Sequence, residues 1–86
     1  MNSEPSLVMW TVYDHPRDFP DAFVARRFDI APGAAVCTDH VMTSGDIEDL
    51  RQRLVDEASC TDCIARSPDD DQTIVEVWMA IVPGVG

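Results

Sequence analysis

The ten residues Thr73 to Val82 (TIVEVWMAIV) constrain the fold more than any other stretch of the chain. β-Branched and aromatic residues dominate them, a composition suited to a pleated, packed surface. Successive side chains of a strand point to opposite faces. Val75, Val77, Met79 and Ile81 therefore form one row, and Ile74, Glu76, Trp78 and Ala80 the other. Both rows are apolar apart from Glu76, so either face of this strand is a candidate for cover.

The remaining elements follow from the same periodicities. Leu7 to Tyr13 (LVMWTVY) is a short, continuously apolar run that predicts a central strand. Asp14 to Asp21 contains Pro16 and Pro20 and is expected to be a loop. Phe23 to Ile30 (FVARRFDI) resumes a strand, with Val24, Arg26, Phe28 and Ile30 on one face and Arg27 and Asp29 on the other. The two strands read as an antiparallel hairpin with a wide connection. Val41 and Met42 suggest a brief third strand within Val36 to Thr43, after a turn at Ala31 to Ala35. Ile47, Leu50, Leu54 and Ala58 recur at helical spacing and predict an amphipathic helix from about Asp46 to about Glu57. Ser44 or Asp46 is placed to cap it, Asp46, Glu48 and Asp49 load the end where the dipole favours negative charge, and Asp49 and Arg53 stand in the favourable i, i+4 order. Ser59 to Gln72 reads as a polar loop. The expected architecture is α+β, with a three- to four-stranded, mainly antiparallel sheet in the order β-β-(β)-α-β and one helix on one face. Residues 1–6 are expected to be a disordered lead and 83–86 a tail, around a single domain at 7–82.

At 86 residues the chain has room for one thin core, so a dimer interface, a metal or a well-packed sheet has to help stabilise it. Sixteen carboxylates oppose six arginines, there is no lysine, and the formal net charge is −10. A field of that sign repels phosphate backbones and anionic lipid surfaces, so neither nucleic acid nor membrane is an expected partner. The opening residues lack the basic and apolar regions of a signal peptide, and three cysteines make an odd number for a disulfide framework. These features point to the cytoplasm, with reduced thiols.

The runs Trp10-Thr-Val-Tyr-Asp-His-Pro16, Asp18-Phe-Pro20 and Phe23-Val-Ala-Arg-Arg27 resemble the opening of small uncharacterised proteins of high-GC proteobacteria. Arg66-Ser-Pro-Asp-Asp-Asp71 and Ile74-Val-Glu-Val-Trp78 are similar to their ends. The resemblance spans most of the chain and implies no activity.

Four constellations are chemically suggestive. Cys37-Thr-Asp-His40 and Cys60-Thr-Asp-Cys63 have the ligand spacing of a Cys3His structural zinc site. A strand of about four residues running out roughly 13 Å and a helix of about twelve returning roughly 18 Å would bring Cys37 and Cys60 towards one edge. Ordinary thiols with a surface histidine fit the same residues, as does a Cys60/Cys63 redox pair. His15, beside Asp14 and Asp18, has the composition of a general base but no evident nucleophile partner other than Cys37. Asp69, Asp70 and Asp71, followed by Glu76, make a carboxylate cluster without EF-hand spacing. Trp10 and Trp78, with Tyr13, Phe23 and Phe28, fit a core at strand spacing, yet an uncovered Ile74/Trp78 row would be an interface.

No complete catalytic signature is present. The expected function is a non-enzymatic protein-interaction module, self-associating as a homodimer. The alternatives are a zinc-stabilised domain using Cys37, His40, Cys60 and Cys63, and a small-molecule binder or minor enzyme using His15, Arg26 and Trp78.

Overall fold

The structure, a computed structural model, describes residues 6–68 and 72–82. The lead at 1–6, apart from Ser6, and the tail at 83–86 lie outside the described residues, as do Asp69, Asp70 and Asp71. Among the described residues six elements follow one another: β1 (Ser6–Asp14), β2 (Phe23–Ala31), β3 (Ala34–Ser44), α1 (Ile47–Asp56), β4 (Asp62–Ala65) and β5 (Ile74–Val82). The strands form one sheet in the order β3-β2-β1-β5-β4, and every neighbouring pair is antiparallel.

The α+β class holds, but the sheet has five strands rather than three or four. Two elements account for the difference. β3 extends over eleven residues instead of a brief segment, although its sequence (AAVCTDHVMTS) carries little apolar signal. It lies at the sheet edge, where most of its residues are exposed and no burial pattern is required of it. β4 (DCIA) emerges from the expected polar loop, four residues long and wholly exposed, at the opposite edge. Backbone pairing with β5 defines it, a contact that leaves no hydrophobic period in the sequence.

The helix ends near its predicted limits. Asp46 caps it by accepting from the Glu48 N–H at 2.9 Å, and Glu48 and Asp49 occupy the first turn. The C-terminal end closes when the Glu57 and Cys60 N–H groups donate to the Arg53 and Leu54 carbonyls at 2.8 and 3.0 Å. Ser59, with φ of 57°, turns the chain in the left-handed region. Asp49 accepts from the Ser44 hydroxyl rather than pairing with Arg53, which instead holds Glu57 and the Thr43 carbonyl.

Leu50 and Leu54, both fully buried, pack on Val8, Trp10, Val12, Ala25 and Ala80. Register explains the choice of face, since Trp10 stands opposite Trp78, Val12 opposite Glu76 and Val8 opposite Ala80. The helix thus covers the Glu76/Trp78/Ala80 row of β5. A register irregularity between Val12 and Tyr13 shifts the start of that strand. Ile74 consequently stands opposite Tyr13, and Val75 packs against the helix-side core, reversing their expected assignments.

Candidate functional site

The four sequence-predicted metal ligands do not converge. Cys37 and His40 lie in β3 at one edge of the sheet, and Cys63 lies in β4 at the other, with three strands between them. At about 4.8 Å per strand that separates them by roughly 19 Å, far beyond a shared coordination sphere. Cys37 is exposed beside Phe28, whereas Cys60 is buried in the core under the helix end. Among the described residues no three His, Cys, Asp or Glu side chains form a group able to hold a metal ion. The spacing argument fails because β3 is eleven residues long and the helix carries the chain across the sheet.

Cys60 and Cys63 do belong to one neighbourhood. Burial, reinforced by Cys63, pushes the Cys60 thiol up to about 11. Burial and the nearby Glu76 carboxylate raise Cys63 as well. Both shifts favour the unreactive thiol over the thiolate, the opposite of what a redox motif needs.

The His15 constellation also separates. His15, at φ 49°, hydrogen-bonds Asp14 and packs edge-on against Phe23 with ring centroids 5.0 Å apart. Arg26 lies by register on the helix-free face, where it is bound by Asp18 and sits 5.9 Å from the Phe19 ring centroid. Trp78 lies on the helix-bearing face, so the sheet stands between it and Arg26. Trp10 is buried core, and Trp78 is half-buried against that core. The residues expected at an interface are therefore mostly internal, and the exposed row of β5 is the other one.

Three arrangements have chemical potential, and none was legible as a motif. The first is a polar cluster inside the helix-bearing face. Arg51 donates from Nε and Nη2 to the two oxygens of Glu76 at 3.0 and 2.8 Å, and from Nη1 to Glu48 at 2.6 Å. Trp78 Nε1–H donates to the same Glu76 carboxylate at 2.6 Å. Burial alone would raise the Glu76 carboxyl, but the hydrogen bonds from Arg51 and Trp78 outweigh it and hold the group below its usual range. Arg51 is in turn held above its ordinary value, chiefly by its bond to Glu76. Every Glu76 oxygen is thus committed to a protein partner, which makes the cluster structural. A lone carboxylate between Val75 and Val77 was the available signal, because a buried charge demands a partner.

The second arrangement is the face without a helix. By register it presents Leu7, Met9, Phe28, Val41, Val77, Met79 and Ile81, with Ile64 at the edge. The β1–β2 loop covers one part of it, where Asp18 and Phe19 engage Arg26. Elsewhere no described element packs on the face: Met9, Phe28, Val77 and Met79 are partly exposed, and Ile81 is 65% exposed.

The third is a half-open cleft of about 360 Å3 on the helix-bearing side, beside the helix C-terminus. Its wall includes Trp10, Met42 and Ala58 as apolar surface and Arg27, His40 and Glu57 as polar groups. A neighbouring depression shares Arg27 and His40 and adds Asp29 and Asp39.

Compared with protein-family models, curated proteins and solved structures, the chain matches none. The class its own architecture defines is a small α+β domain with one sheet face under a helix and the other largely open. Among the described residues no helix is long and apolar enough to cross a membrane.

Proposed function

We propose that this chain is a non-enzymatic interaction module that self-associates, two copies meeting through their helix-free sheet faces. The observation that carries the reading is the Leu7, Met9, Phe28, Val77, Met79 and Ile81 surface, over which no helix or strand among the described residues packs. Charge supports a second copy as the occupant. In a chain of net charge −10, the only charged residues that strand register puts on this face among the described residues are Arg26, already paired with Asp18, and Asp62 at the edge. Approach through this face brings the fewest like charges together.

Size agrees. Five strands about 4.8 Å apart and roughly seven residues long at about 3.3 Å each give a face of the order of 500 Å2 per copy. Part of that area lies under the β1–β2 loop, so a pair buries less than about 1,000 Å2, at the low end for specific interfaces and suited to weak self-association. Sheets stacked in this way interdigitate side chains about 10 Å apart, and Met9 and Met79 suit such adaptable packing.

The test is sedimentation equilibrium from roughly 1 to 500 μM, spanning the micromolar affinities expected of an interface this small. A concentration-dependent dimer is expected, with Met79→Asp monomeric and its circular dichroism unchanged. A wild-type chain that stays monomeric throughout would end the reading.

A further inference from the structure

The cleft beside the helix C-terminus combines two opposite, incompletely engaged charges with an apolar wall. Arg27 donates through Nε to Asp29 at 3.0 Å, and among the described residues its other guanidinium nitrogens have no partner. Glu57 accepts from Arg53 on Oε2 at 3.0 Å, and its Oε1 is likewise unengaged among the described residues. Both residues line the same space of about 360 Å3, together with the surfaces of Trp10, Met42 and Ala58. That size and composition match sites that bury small molecules, with a few polar groups fixing orientation.

The charge balance narrows the ligand. A purely anionic molecule meets a chain of net charge −10 and, beside Arg27, the carboxylates of Asp29 and Asp39. A purely cationic one leaves the guanidinium edge unanswered. A zwitterion pays neither long-range penalty and answers both local groups. We infer that this cleft binds a small zwitterion with an apolar body, of the chemical class of an aromatic or aliphatic α-amino acid. Its carboxylate meets the open edge of Arg27, with His40 beside it, and its ammonium meets Glu57. Its side chain lies against Trp10, Met42 and Ala58. The guanidinium suits the first contact because its planar fork matches a carboxylate.

Of the residues proposed for self-association only Ile81 also lines the cleft, which otherwise lies on the helix-bearing side of the sheet. The experiment titrates phenylalanine, 3-phenylpropionate and 2-phenylethylamine into isotopically labelled protein and follows amide and indole resonances. Phenylalanine is expected to bind with a Kd of about 1 mM or tighter, and each single-charge analogue about tenfold or more weaker. The shifts should centre on Arg27, His40, Met42, Ala58 and the Trp10 indole. Arg27→Gln should weaken phenylalanine and 3-phenylpropionate while sparing 2-phenylethylamine, and Glu57→Gln should do the reverse. If either variant loses its dispersed spectrum, the three-ligand series on the wild-type chain decides alone. Equal binding of an analogue and phenylalanine overturns the inference. So does a shift map centred elsewhere, or no response at about 50 mM ligand, well above the Kd expected here.

Discussion

The two faces of the sheet are built from the same kinds of residue and have different fates. Val8, Trp10 and Val12 on one side of β1 are buried beneath Leu50 and Leu54. Leu7 and Met9 on the other side stand in the open row with Met79 and Ile81. Hydrophobicity does not separate these sets; what separates them is a polar requirement. The helix-bearing face contains Glu76, a carboxylate with a side chain only 8% exposed, and Arg51 of the helix is the cation that meets it. A helix on the opposite face would have left Glu76 without that partner. One half-buried ion pair can assign sides where apolar patterning is ambiguous.

Truncating the helix contact should weaken the covered face most strongly. Leu50→Ala removes a fully buried side chain from the core and is expected to cost about 3 kcal/mol, read as a lowered urea midpoint. Such a loss is a large fraction of the stability of a small domain.

Arg51→Gln should have the next largest effect, about 2 kcal/mol near neutral pH, moderated by the partial exposure of Arg51. It should also weaken a pH dependence. In the wild type the Glu76 carboxyl lies below its ordinary value, so the stability it contributes is present above about pH 4.3 and is lost as pH falls through the folded value. Without Arg51 the strongest lowering influence is gone, and burial is opposed only by the Trp78 and Cys63 hydrogen bonds, so the carboxyl rises from its wild-type position. The stability lost as pH falls then shrinks. Denaturant titrations of both chains between about pH 3 and 7, bracketing the ordinary carboxyl value, read the difference directly. Parallel pH profiles would show that the ion pair does not select the helix-bearing face.

The smallest effect should come from the open face. Ile81→Thr alters a side chain that is already mostly exposed and should move monomer stability by no more than about 0.5 kcal/mol. Measured at a concentration where the chain is dimeric, the same change should cost more. A loss independent of protein concentration would place Ile81 in the monomer core.

Much of the fold was legible because local periodicity records burial. The helix stripe, the strands at β1, β2 and β5 and the loop with two prolines each follow from residues that repeat at 3.6 or 2.0. β4 was not legible, since Asp62, Cys63, Ile64 and Ala65 are all exposed and only backbone pairing defines them. β3 was half legible for the same reason, with Val41 and Met42 its sole signal. Among site residues, the Cys37/His40 and Cys60/Cys63 spacing was regular in sequence but divided between opposite edges in space. Arg27 and Glu57, which face one cleft, are thirty residues apart and share no motif.

Composition and periodicity alone specify an acidic chain with an α+β fold, an amphipathic helix and a sheet apolar on both sides. Composition and side-chain period act locally, and each residue carries that information wherever it lies. Long-range contacts set the five-strand count, put β3 and β4 at the edges and lay the helix over the Trp78 row. Those outcomes depend on register and on the meeting of Arg51 with Glu76, contacts between residues that no local pattern links.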